Sequence, residues 1–147
     1  MITSGKTIKL HQAGTQQMIQ FRVEKFGFIR ISFTKNRNFS ILEYPIIEVK
    51  NRGVDFCRHL KNGVSYSKQN FPFNFQDGVN YDFFITKGEE IKFGIFKDGT
   101  YKTIGFFTYS ELDSLPYMGF SSKLETNWII ENGINLSIQQ KLYDYSL

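Results

Sequence analysis

One cysteine, two histidines and three prolines in 147 residues remove several kinds of protein at once. With Cys57 alone, no disulfide can close within the chain, and a reducing compartment is the expected setting. Metal sites need several His, Cys or carboxylate groups converging. His11 and His59 stand far apart in sequence, so neither a metal nor any other cofactor is expected. Cys57 and His59 are two residues apart on an expected strand, which spaces their side chains by about 7 Å. That is too far for the hydrogen bond that activates a thiolate. No apolar run approaches the roughly 20 residues that cross a bilayer, and the opening MITSGKTIKLHQAG lacks the apolar stretch of a signal peptide. The expected location is cytoplasmic. Secretion is left open, and only there would the sequons Asn38-Phe39-Ser40 and Asn135-Leu136-Ser137 matter.

Nucleotide and nucleic-acid functions lack their signatures too. There is no GxGxxG after a strand, no GxxxxGK[ST], and no alternation of strands and helices to carry either. The formal charge is +4, but 18 basic residues face 14 acidic ones with the signs interspersed. Lys35, Arg37, Lys50, Arg52, Arg58, His59 and Lys61 are scattered through expected turns, whereas nucleic-acid binding wants a basic face. The carboxylates Glu89, Glu90, Asp98, Glu111 and Asp113 also sit in or beside expected turns, and nothing selects a catalytic pair among them. No catalytic residue is assigned, and the chain is not expected to be an enzyme.

What the chain has in quantity is aromatic residues, 16 Phe and 8 Tyr, which suit half-buried pleated surfaces. Period-two alternation recurs throughout. Ile19, Phe21 and Val23 alternate with Gln20, Arg22 and Glu24; Ile29, Ile31 and Phe33 alternate with Arg30, Ser32 and Thr34. With Gly27 between them, these two runs read as a hairpin. Ile41 to Val49 reads as a strand in which Pro45 and the slipped phase at Ile46-Ile47 call for a bulge or an edge. Val54 to Leu60 follows, then the turn signal Asn62-Gly63. Ser67 to Val79 reads as a packed loop. The clearest strands are Tyr81 to Ile85, Ile91 to Ile95 and Tyr101 to Tyr109, the last two joined at Asp98-Gly99. Pro116 to Ser121, Asn127 to Ile130 and Ile134 to Ile138 complete the series, with a short helix over Ser137 to Tyr143 as the alternative ending. The expectation is one all-β domain over residues 1–147, an antiparallel β-sandwich or jelly roll of about ten strands.

The stretch Tyr81-Asp82-Phe83-Phe84-Ile85, Ile91-Lys92-Phe93-Gly94, Gly99, Phe106-Phe107, Tyr117-Met118-Gly119-Phe120-Ser121 and the lone Trp128 resembles the farnesoic acid O-methyltransferase-like domain. Phe21-Arg22-Val23, Ile29-Arg30-Ile31, Tyr44-Pro45-Ile46-Ile47-Glu48-Val49 and Arg58 extend that resemblance upstream. Val49-Lys50 stands where the family has paired glycines, Asn51 is one position out of register, and Asp55 and Cys57 replace its Ser and Ile. The resemblance implies a small β-sandwich used for recognition, not methyl transfer. Phe71-Pro72-Phe73 followed by Gly78 and Tyr81 also looks like the F-P-F turn of galectins. Their sugar-reading motifs H-x-N-P-R and W-G-x-E-x-R are absent, since Thr34-Lys35-Asn36-Arg37 lacks the His and Pro and the single Trp lies at 128.

The functional expectation is a non-catalytic, lectin-like binding module for a carbohydrate or glycoprotein. Lectin sites pair an aromatic face with Arg and short polar groups, which selects Arg58, Trp128, Asn127, Asn51 and Arg52 as candidates. A core position is the competing assignment for Trp128. The alternative function is a protein-interaction or structural subunit, a homo-oligomer included, with Phe28, Phe84, Phe96 and Tyr101 as outward aromatics at an interface.

Overall fold

The computed structural model describes residues 6–9, 17–34, 45–59, 66–87, 90–108, 117–122, 127–130 and 134–135. They form twelve strands: β1 Lys6–Lys9, β2 Gln17–Glu24, β3 Ile29–Thr34, β4 Ile46–Lys50, β5 Gly53–His59, β6 Tyr66–Pro72, β7 Tyr81–Lys87, β8 Ile91–Lys97, β9 Thr100–Phe107, β10 Tyr117–Ser122, β11 Asn127–Ile130 and β12 Ile134–Asn135. One sheet runs β1-β10-β3-β4-β5-β6 and the other β11-β2-β7-β8-β9, with β12 also pairing to β2. Every pairing is antiparallel. The all-β sandwich is as expected. There is no helix among the described residues, hence none long and apolar enough to cross a membrane. The alternative helix over 137–143 falls outside them.

Alternation determines what lies between the sheets. Ile19, Phe21 and Val23 of β2 and Phe83 and Ile85 of β7 meet Ile29, Ile31 and Phe33 of β3, Ile47 and Val49 of β4, and Val54 and Phe56 of β5 in one core. Each fully buried Phe there contributes about 2 to 3 kcal/mol in removed apolar surface. Phe56 of β5 stacks on Phe107 of β9 at 4.1 Å between ring centroids, and Phe71 of β6 meets Phe107 edge-on at 5.4 Å. The β9 edge of one sheet thus lies under β5 and β6 of the other.

Three sequence expectations are corrected and one strand is added. The β2–β3 hairpin does not form, because β2 pairs with β7 while β3 pairs with β10 and β4 in the opposite sheet. Residues 25–28 carry the chain across: Phe26 is buried in the core, donates its N–H to Val79 O at 2.8 Å and accepts from Gly78 N at 2.9 Å. Alternation identified both strands and was silent about their partners. Second, the strand around Pro45 is not an edge, while residues 41–44 on its N-terminal side lie outside the described residues. Pro45 precedes β4, which is central between β3 and β5, and its carbonyl accepts from Phe33 N. Third, Tyr66–Pro72 is a strand, not part of a packed loop; only residues 73–80 form the loop. The added strand is Lys6–Lys9, to which no element is assigned from sequence. The Asn62-Gly63 turn lies outside the described residues, although β5 and β6 on either side of it do pair antiparallel.

The β7–β8–β9 meander forms as expected. Asp98 and Gly99 both have positive φ, 54° and 75°, as a two-residue turn of this kind requires. A bulge falls where Phe93 pairs with Gly105 and Gly94 with Thr103, leaving Ile104 as the extra residue. Gly94 has no room for a side chain: a Cβ would run into the Lys102 carbonyl oxygen and the Phe84 ring. Phe84, on the outer face of its sheet, fills that space, meets Tyr101 edge-on at 5.2 Å, and is buried. An outward register therefore does not make this aromatic an exposed one.

Candidate functional site

The five sequence candidates are dispersed. Asn51 and Arg52 form the turn between β4 and β5. Arg58 stands on β5 opposite Ser67 of β6. Asn127 and Trp128 stand on β11, opposite Glu24 and Val23 of β2, in the other sheet. Because β9 is the strand beneath β5 and β6, β11 at the far edge of that sheet is separated from them by β2, β7 and β8. The candidates thus fall in three separate places, the Asn51–Arg52 turn, Arg58 on β5 and the Asn127–Trp128 pair on β11. Asn51 has a bracing role, as its Nδ2 donates to Phe75 O at 3.2 Å and Asp77 Oδ1 at 2.9 Å, and its carbonyl accepts from Phe75 N. Arg52 is exposed at the turn and its carbonyl accepts from Phe73 N.

A different cluster lies on the outer face of β3, β4, β5 and β6. Opposed residues in antiparallel strands share a face, so Arg30, Glu48, Asp55 and Asn70 form a row across the four strands. Their inward neighbours Ile29, Val49, Val54 and Phe71 pack on the core. Arg30 Nη2 pairs with Glu48 Oε2 at 3.0 Å. Asn70 Nδ2 donates to Asp55 Oδ1 at 2.6 Å, while Lys50 and Lys68 approach Asp55 Oδ2 at 3.3 and 3.7 Å. Phe28, just before β3, adds a half-buried ring with Arg30 at 5.5 Å and Lys50 at 5.8 Å from its centroid. Ser32 lies on the same face, fully buried, with no hydrogen-bond partner for Oγ.

The electrostatics of this row follow from its pairings. Burial alone would raise the Asp55 carboxyl pKa, but hydrogen bonds from Asn70 and Lys50 and the charges of Lys50 and Lys68 outweigh it and hold it below 3.8. Cys57, next along β5 on the same face, donates Sγ–H to Glu48 Oε1 at 3.5 Å. Burial first, then the Glu48 charge and that hydrogen bond, push its thiol up to about 11. Such a thiol is a poor nucleophile at neutral pH. Alkylation by iodoacetamide at pH 8 is expected to run about a hundredfold slower in the folded protein than for a free cysteine. A rate equal to that of the unfolded chain would contradict this placement of Cys57. Among the described residues no three His, Cys, Asp or Glu groups come close enough to hold a metal ion.

The row offers fixed donors and acceptors on a solvent-facing sheet, next to an aromatic ring. Solved structures share the fold that carries it, two galectins among them. Sheep galectin-11, in complex with glycerol, matches over 91% of this chain and 98% of its own with a TM-score of 0.65 and 12% sequence identity. Caenorhabditis elegans galectin LEC-6 matches over 86% and 89% with a TM-score of 0.59 and 9% identity. The fold is galectin-like. No family model and no curated relative matches the chain, so the resemblance to the farnesoic acid O-methyltransferase-like domain gains no support from them. At these identities the galectin-like fold carries no sugar site with it, and any such site must come from this chain's own residues.

The sequence held a usable signal for that row. Arg30 and Ser32 appear as the polar side of an alternating strand, and Asp55 as a lone charge between Val54 and Phe56. What it lacked was the strand order that makes Arg30, Glu48, Asp55 and Asn70 neighbours.

Proposed function

We propose that the chain is a non-catalytic, lectin-like module that binds saccharide on the outer face of β3 to β6. The carrying observation is the row Arg30–Glu48–Asp55–Asn70, held by ion pairs and hydrogen bonds across four strands of a galectin-like sheet. Sugar hydroxyls both donate and accept, so they are best read by charged and amide groups already fixed in place, which lose little freedom on binding. Guanidinium, carboxylate and amide occur here in sequence along one row. Phe28 supplies an apolar wall beside them, as mixed saccharide sites need. Arg52, exposed at the adjoining β4–β5 turn, would extend the site.

The test is a glycan array read with the wild type and with Asn70→Ala. Asn70 is exposed, so its truncation leaves the core intact. The wild type is expected to retain a subset of saccharides at micromolar concentration, and Asn70→Ala to weaken the same subset about tenfold, the worth of a hydrogen bond to a charged system. An array with no retained glycan would sink the proposal, as would retention that Asn70→Ala leaves unchanged.

A further inference from the structure

The charges on this face are sorted by depth. Lys50 and Lys68, on the strands either side of β5, keep 40% and 41% of their side-chain surface in solvent, while the Asp55 side chain between them keeps 8%. Arg30 and Glu48 show the same order at 26% and 14%. Among the described residues of the row and its flanks, three cations stand over two carboxylates. Both ammonium groups address one oxygen, Asp55 Oδ2, which brings them within reach of a single further anion. The remaining Asp55 oxygen is occupied by Asn70, and the Phe28 ring lies 5.8 Å from Lys50 and 5.5 Å from Arg30. Solvent therefore meets positive charge in a fixed arrangement, with its counter-charge underneath.

We infer that the saccharide this face takes is an anionic one, bearing a sulfate ester or carboxylate that Lys50 and Lys68 share. The inference rests on the reading of this face as a saccharide site. A bound anion gains two charge-assisted contacts without exposing an unpaired group, because Asp55 still neutralises one lysine. A neutral saccharide gains neither.

The experiment titrates the protein by calorimetry with a neutral disaccharide, with the same disaccharide carrying one sulfate ester, and with its uronic-acid counterpart, at low and at high salt. The charged forms are expected to bind about tenfold tighter than the neutral one, with the advantage shrinking as salt rises. Lys68→Gln is expected to bring the charged-to-neutral ratio toward one, and Lys68→Arg to keep it. Equal affinity for all three disaccharides overturns the inference and leaves the saccharide reading standing, whereas binding of none overturns both. Inorganic sulfate at matched concentration should not displace the charged disaccharides; if it does, the two lysines are a bare anion trap and the inference fails.

Discussion

Replacing Phe83 with alanine is expected to lower the unfolding free energy by about 4 to 5 kcal/mol, at the upper end for a buried aromatic. Phe83 has no solvent exposure, and its ring lies 5.3 Å from Phe93, 5.4 Å from Phe21, 5.8 Å from Phe75 and 5.9 Å from Tyr81. Those neighbours come from β2, β7, β8 and the loop after β6, so no single element can move in to fill the gap. The lost ring also ends several aromatic pairs, each worth about 0.5 to 1.5 kcal/mol beyond its area. Since small domains hold only about 5 to 15 kcal/mol in total, urea titration should find Phe83→Ala close to the edge of folding. Phe83→Leu, which keeps most of the volume, should cost about 1.5 kcal/mol. Phe106, 58% exposed on the edge strand β9, gives the contrast, because Phe106→Ala should stay within about 0.5 kcal/mol of wild type. Equal losses at positions 83 and 106 would mean that the core is not where the sheets place it.

That contrast also marks how far the sequence could be read. Alternation with a turn of fixed chemistry between was enough for β7 to β9, where Asp98-Gly99 ties two strands that do pair. It was not enough for β2 and β3, because a polar-apolar period shows that a segment is a strand and that one of its faces is buried. The sheet it joins depends on long-range docking, here of Phe26 against the 78–80 loop. Edge strand β6 escaped for the opposite reason. Its Lys68, Gln69 and Asn70 are exposed, so burial imposes little pattern on them. The same limits governed the site. Composition pointed to Trp128 and Arg58 as chemically rich residues, but chemistry without strand order cannot say which residues share a face. Arg30, Glu48, Asp55 and Asn70 are 40 positions apart end to end in numbering and adjacent across four strands.

Asp55 decides whether that row is a charge system or only a well-packed surface, and its removal should be felt in both stability and binding. In Asp55→Ala, Lys50 and Lys68 face each other without their shared counter-charge, and the Asn70 amide loses its acceptor. Breaking a dry ion pair from one side costs about 3 to 5 kcal/mol. Here both lysines are part-exposed and rehydrate, which brings the expected loss to about 2 kcal/mol at neutral pH. Asp55→Asn keeps the shape and removes only the charge, so it isolates the electrostatic share through its pH dependence. The folded-state pKa of Asp55 lies below 3.8, so its carboxylate stabilises the fold above the unfolded value and that contribution disappears as pH falls through the folded one. The gap between wild type and Asp55→Asn should therefore be constant from about pH 7 down to about pH 5 and close below about pH 4. A gap that persists undiminished at low pH would assign Asp55 a packing role instead. On the glycan array, Asp55→Ala should lose the saccharides that the wild type retains, because two mutually repelling lysines no longer hold fixed positions. Asp55→Asn, with an amide able to meet Asn70, should lose them less. If Asp55→Ala folds and keeps the full set of retained glycans, the row across β3 to β6 is structural and the saccharide site lies elsewhere on the protein.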